Sequence, residues 1–166
     1  METITLTGIL EFASLALSSA VVILDFSLLI YILAQNLQSP VAQAFAEMMA
    51  FVALIYLVDV TIVSVETAEA ARIWLQIQWL GIAFVPAVSY RFSDAVLRTT
   101  GTHTRYRRAL TAVAYLLAGA SFAAVVFTPR LVTGVGQKGR FYHFVAGPLF
   151  WVFATYYLLI SLAAWL

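Results

Sequence analysis

The sequence predicts an all-α integral membrane protein: a bundle of five transmembrane helices with short loops, forming a single domain over residues 1–166. Three observations predict it. Of the 166 residues, 63% are hydrophobic and 10% charged, where a soluble domain carries about 25% charged residues. Several apolar runs exceed the roughly 20 residues that a helix needs to cross a bilayer. The connections between the runs are short, reading QNLQSP, ETAEAAR, RTTGTHTRYRR and PRLVTGVGQKG.

The elements follow in order. The first span, Thr5–Ala34, is much longer than the apolar core of a signal peptide and has no basic residue before it, so it reads as a retained helix. The second, Val41–Val65, follows the Ser39-Pro40 turn, and the third, Ile73–Leu97, follows an acidic connection. The fourth, Ala109–Thr128, follows the most basic stretch of the chain, and the fifth is Phe141–Leu166. All five are expected to be helical, because lipid offers the backbone no other way to satisfy its polar groups within one segment. Pro86 and Pro148 each remove a backbone donor, which predicts kinks. Ala42, Ala46 and Ala50, and Ala120 with Ala124, are small residues one turn apart that suit close helix packing. Trp74, Trp79 and Tyr142 read as anchors at the outer membrane interface.

Orientation follows from the basic residues. Arg98, Arg105, Arg107 and Arg108 flank the third connection without an acid, whereas the second carries Glu66, Glu69 and Arg72. The positive-inside rule then puts the N-terminus outside and the C-terminus in the cytoplasm of a cell whose inner membrane holds the protein. Arg130, Lys138 and Arg140 of the fourth connection oppose that assignment. The apolar ending YYLLISLAAWL predicts that these residues are the membrane portion of a longer pattern.

Six ionisable residues lie within the spans, and each costs about 2.5–3.5 kcal/mol at mid-membrane unless it finds a partner, water or a neutral form. Glu47 stands seven residues inside Pro40 and Arg91 seven inside Arg98, so both lie roughly 10 Å deep. Asp25 lies roughly 13 Å deep, and Asp94 is one turn from both Arg91 and Arg98. Matched depth predicts a structural charge cluster of Asp25, Glu47, Arg91 and Asp94 that clamps the first three helices. The plainer alternative pairs Arg91 with Asp94 on one helix. At the outer side, Glu11 and Asp59 each lie roughly 9 Å from their helix ends, with Gln76 and Gln78 nearby. These four are the candidate ligand-binding pocket, suited to a cation or a proton unless Arg140 and His143 neutralise the acids.

From Trp74 through Trp79-Leu80-Gly81-Ile82, Pro86 and the exit at Arg98, the chain resembles the seven-helix N-terminal sensor region of bacterial histidine kinases. The resemblance extends back to Asp59 near the outer end of the second span. It also reaches the last segment, FYHFVAGPLFWVFATYYLLI, where a glycine leads into a Tyr-containing apolar run. It implies seven spans followed by a cytoplasmic output module of a two-component system, most often a kinase. Five spans and no output module are visible here, so no enzymatic activity is expected of these residues.

Cofactor chemistry finds no support in the sequence. His103 and His143 fall on opposite membrane sides in this topology and cannot ligate one haem, no lysine lies in a span for a retinal Schiff base, and there is no cysteine. No cofactor and no metal are therefore expected. The expected partners are the lipid bilayer and a homo-oligomer or larger membrane assembly, with no nucleic acid. The leading functional expectation is a membrane signal-input domain that relays an external or membrane cue to a cytoplasmic module. The alternatives are a non-catalytic accessory subunit of a larger membrane complex and a transporter, which would want broken helices around a midplane site.

Overall fold

A computed structural model describes residues 6–35, 38–101, 105–138 and 141–165. The element order is α1 (Leu6–Gln35), α2 (Pro40–Ile62), α3 (Ala68–Thr99), α4 (Arg105–Phe127), β1 (Val132–Lys138), β2 (Phe141–Ala146) and α5 (Phe150–Trp165). The helices run alternately up and down. The α1–α2 and α3–α4 connections therefore share one end of the bundle, the arginine-rich end, and the strands lie at the other.

Local chemistry sets the helix boundaries. Ser39 caps α2 by accepting the Ala42 N–H at 3.4 Å, and Pro40 occupies the first helical position, where its missing N–H costs nothing. Thr67 caps α3 in the same way through the Ala70 N–H at 3.3 Å. Gly101, at φ +77°, terminates α3 in the left-handed region that disfavours a side chain.

α3 is the hub. It packs against α2, α4, α5 and both strands, whereas α1 packs chiefly on α2. Gly81 sits at a close approach of α2 and α3, since a Cβ there would stand 2.6 Å from Ile55 Cγ1 and 2.9 Å from the Phe51 carbonyl oxygen. Phe51 stacks on Phe84 at 5.3 Å between ring centroids beside this contact. α1 meets α2 along Glu11, Leu15, Ser18, Val22, Asp25, Leu29 and Ile32, a seam repeating every 3.5 residues as in a coiled coil. Most of the other described α1 side chains are exposed and apolar, as suits a face turned to lipid.

Four helices, α1 to α4, are long and apolar enough to cross a membrane. Of the five expected spans these four are shown, while the stretch expected as Phe141–Leu166 divides into β2, a turn at Gly147–Leu149, and the apolar 16-residue α5. β1 and β2 form an antiparallel hairpin, with Val135 opposite Phe144 and Gly136 opposite His143, so the fourth connection is a folded element in an otherwise all-α chain. Pro148, within that stretch, cannot donate to a helix running through it, and Gly134 and Gly136 make the preceding connection a poor helix. Pro148 consequently precedes α5 and kinks nothing, while α3 continues as one helix past Pro86.

The core lies where α3, α4, α5 and the hairpin meet. Trp79 is buried there, 4.9 Å from the Phe153 ring, instead of anchoring at the interface. The small-residue face of α4 is Ala114 and Ala118, both fully buried, while Ala120 and Ala50 of α2 are exposed. The Tyr156 hydroxyl of α5 reaches the Ala114 carbonyl of α4 at 3.1 Å and the Ala83 carbonyl of α3 at 3.3 Å. Ala83 adjoins Ile82, whose carbonyl Pro86 deprives of its helical donor, so a side chain supplies polarity where the ladder is weakened.

Candidate signal-input site

The polar side chains of the bundle gather at its two ends, and α3 carries members of both groups. At the arginine-rich end, Arg91 of α3 donates through Nη1 to Glu47 Oε2 of α2. The second carboxylate oxygen, Oε1, accepts the Tyr115 hydroxyl of α4 at 2.7 Å. One carboxylate thus joins three helices, with both oxygens occupied by donors from different neighbours.

Asp94 forms a second junction. It is 3% exposed, accepts Arg98 Nη2 at 2.8 Å one turn along its own helix, and lies 3.7 Å from Arg107 Nε of α4. Arg107 also donates to Ser93 Oγ at 3.1 Å and stands over the Tyr90 ring at 5.0 Å from its centroid. Arg107 therefore meets an anion, a hydroxyl and an aromatic face, all supplied by α3, which fixes the start of α4 against the end of α3.

The predicted cluster of four is divided accordingly. Arg91 meets Glu47 across helices, and Asp94 turns to Arg98 and Arg107. Asp25 is buried on the α1–α2 seam at 8% exposure, and its Oδ2 has no hydrogen-bond partner among the described residues. Depth counting left out Tyr115, although it stands seven residues inside Arg108, the same count that matched Glu47 to Arg91. A phenol is uncharged, so charge matching does not point to it, yet its hydroxyl is the donor that completes the carboxylate.

At the hairpin end, Gln78 Nε2 of α3 donates to Asp59 Oδ1 of α2 at 2.5 Å and lies 3.5 Å from the Ile55 carbonyl. Glu11 and Gln76 do not join them. Glu11 is half-buried on the α1 seam and makes no hydrogen bond or ion pair among the described residues. Counted from the α1–α2 turn it stands five residues further out than Asp59, about 7 Å by helical rise. The depths matched only when each helix was counted from its own outer end, and α1 is the longer helix. Gln76 faces away because residues two apart on a helix point to opposite sides. Arg140 lies outside the described residues, and the His143 imidazole lies over Gly136 within the hairpin.

Gln76 instead lines a cavity of about 530 Å³ between the first turns of α3, the end of α4 and the hairpin. Glu69 and Arg72 stand at its mouth, and Val125, Val132 and Phe144 contribute apolar wall. The hairpin wall is held from two sides. The Tyr142 hydroxyl donates to the Glu66 carbonyl at 3.2 Å, and Gly147 packs so closely that a Cβ would lie 2.4 Å from the Arg130 carbonyl oxygen. Sequence reading missed this cavity because the hairpin that closes it was not expected. Among the described residues no group of three or more His, Cys, Asp or Glu is arranged to hold a metal ion.

A cavity thus lies at one end of α3 and ion-paired junctions lie near the other. Comparison with curated proteins and with solved structures gave no match. A family model for the N-terminal 7TM region of histidine kinase matches residues 16–166, which takes in most of α1 and everything after it. The chain belongs to the family of N-terminal 7TM regions of histidine kinases.

Proposed function

We propose that the chain is a membrane signal-input domain, with the arginine-rich end in the cytoplasm, and that it relays an external or membrane cue to a cytoplasmic output module. One observation carries the reading. α3 is a single helix of 32 residues, about 48 Å long, lined by the cavity in its first turns and bearing Arg91 and Asp94 near its far end. A rigid element of that length passes a shift or rotation at one end to the other, and packed interfaces respond by switching between discrete arrangements. The Glu47–Arg91–Tyr115 and Asp94–Arg98–Arg107 junctions are the contacts that such a shift would remake, because each spans α3 and a neighbour. A cue that binds one arrangement better than the other moves the population by its difference in affinity alone.

The test is a fusion of the chain through Leu166 to a histidine-kinase catalytic module in nanodiscs, with autophosphorylation as readout. Asp94→Asn keeps the shape of the side chain and removes the charge that faces Arg98 and Arg107. It is expected to change basal output severalfold with unchanged membrane insertion. Output that stays constant for Asp94→Asn and for Glu47→Gln would remove the relay role and leave both junctions structural.

A further inference from the structure

We infer that the cavity between α3, α4 and the hairpin binds a free α-amino acid with an apolar side chain. The inference rests on the signal-input reading for its consequence and deepens it by naming the class of ligand. Besides Thr128 and Thr133, whose hydroxyls bond to backbone carbonyls, three polar side chains converge on this cavity. Glu69 and Arg72 are exposed at its mouth and form no ion pair among the described residues, with each other included. Gln76, one turn further in, is half-buried and makes no hydrogen bond among the described residues. An amide and two opposite charges, all without partners and all facing one concave space, are what a ligand-binding cavity presents before it is filled.

The spacing selects the head group. Residues three apart on a helix have Cβ atoms about 5–6 Å apart, so Glu69 and Arg72 offer opposite charges side by side. A molecule whose ammonium and carboxylate are borne on one carbon fits that separation, whereas the termini of an extended peptide stand too far apart. The Arg72 guanidinium takes the carboxylate through two parallel hydrogen bonds, Glu69 takes the ammonium, and the Gln76 amide serves either group. Below them Val125, Val132 and Phe144 form an apolar wall for the side chain. At about 530 Å³ the cavity falls within the range of roughly 300–1,000 Å³ that small-molecule sites occupy. Every polar group in the set belongs to the first turns of α3, so occupancy bears directly on the helix that carries Arg91 and Asp94.

The experiment is isothermal titration of the chain in nanodiscs with L-phenylalanine and L-leucine. Phenethylamine, which lacks the carboxylate, and 3-phenylpropionate, which lacks the ammonium, serve as comparison probes. Saturable binding of both amino acids with Kd of about 1 mM or tighter is expected, with each single-charge analogue at least about tenfold weaker. Arg72→Ala should weaken L-phenylalanine by about tenfold and leave phenethylamine unchanged, and Glu69→Gln should weaken L-phenylalanine likewise and leave 3-phenylpropionate unchanged. Both positions are exposed, and the analogue series on the unaltered chain tests the same point without a substitution. Absence of saturable binding by both amino acids, or affinities equal for all four probes, overturns the inference. Binding that follows the pattern while output of the kinase fusion stays constant upholds the site and removes the signal-input reading. Failure to bind while Asp94→Asn still shifts output removes the site and leaves that reading in place.

Discussion

Deleting the carboxylate of Glu47 would leave the Arg91 guanidinium without its anion and the Tyr115 hydroxyl without its acceptor, in a segment where lipid supplies neither. The lost charge pairing outweighs the lost packing, because a stranded charge forfeits its compensation for desolvation while a missing side chain forfeits a few contacts. Breaking such a pair by removing one partner costs roughly 3–5 kcal/mol. Glu47→Ala is therefore expected to destabilise the bundle by that amount, and Glu47→Ala combined with Arg91→Met to recover most of it. Thermal or denaturant unfolding in detergent measures both, and equal losses in the single and double variants would show no coupling. At this scale the sequence was informative about charges and silent about their neutral partners. Depth counting brought Glu47 and Arg91 to one level, but helix azimuth decides which groups at a level touch. Asp94 and Arg91 are three apart on α3, and their partners nonetheless lie on different elements.

Helices α1 to α4 were legible because an apolar run beyond about 20 residues leaves the backbone few alternatives in lipid. The last segment was not, because the same apolar composition suits a hairpin wherever glycine and proline interrupt it. Phe141, His143 and Val145 alternate with Tyr142, Phe144 and Ala146 as in a strand, a pattern hidden by uniform hydrophobicity. Helix contacts were legible only in kind: small residues do mediate them, at Gly81, Ala114 and Ala118 and not at Ala50 or Ala120. Gly81 gives the sharpest test, since the atom that a Cβ would approach at 2.9 Å is the Phe51 carbonyl oxygen, which no rotamer change can move away. Gly81→Leu must therefore separate α2 from α3, at a cost of about 3 kcal/mol for overpacking, with the Phe51–Phe84 stack lost as well. Gly119→Leu serves as the control, because nothing beyond the local backbone of α4 lies within 4 Å of a Cβ built there. A Gly81→Leu protein as stable as Gly119→Leu would mean that the two helices are not in close contact.

The whole molecule has two chemically distinct ends, and membrane insertion reads that difference as orientation. The arginine-rich end carries Arg98, Arg107 and Arg108, and the hairpin end carries Glu66, Glu69, Arg72 and Arg130. Net charge alone discriminates poorly, since Lys138 and Arg140 also belong to the hairpin connection. One feature favours the arginine-rich end as cytoplasmic: its basic residues flank a short connection directly between two spanning helices, where the positive-inside rule applies, and no acid accompanies them there. Arg107 is held by Asp94 and Ser93, so part of this charge is fixed to the bundle once it has folded. The chain has no cysteine, so single cysteines report position without background. Gln137→Cys, on an exposed strand residue, is expected to react with a membrane-impermeant maleimide added to intact cells. Thr100→Cys, at the exposed end of α3, should react only after permeabilisation. Labelling of position 100 in intact cells with protection of position 137 would invert the molecule. It would place the α3–α4–hairpin cavity on the cytoplasmic side and restrict its ligands to intracellular ones.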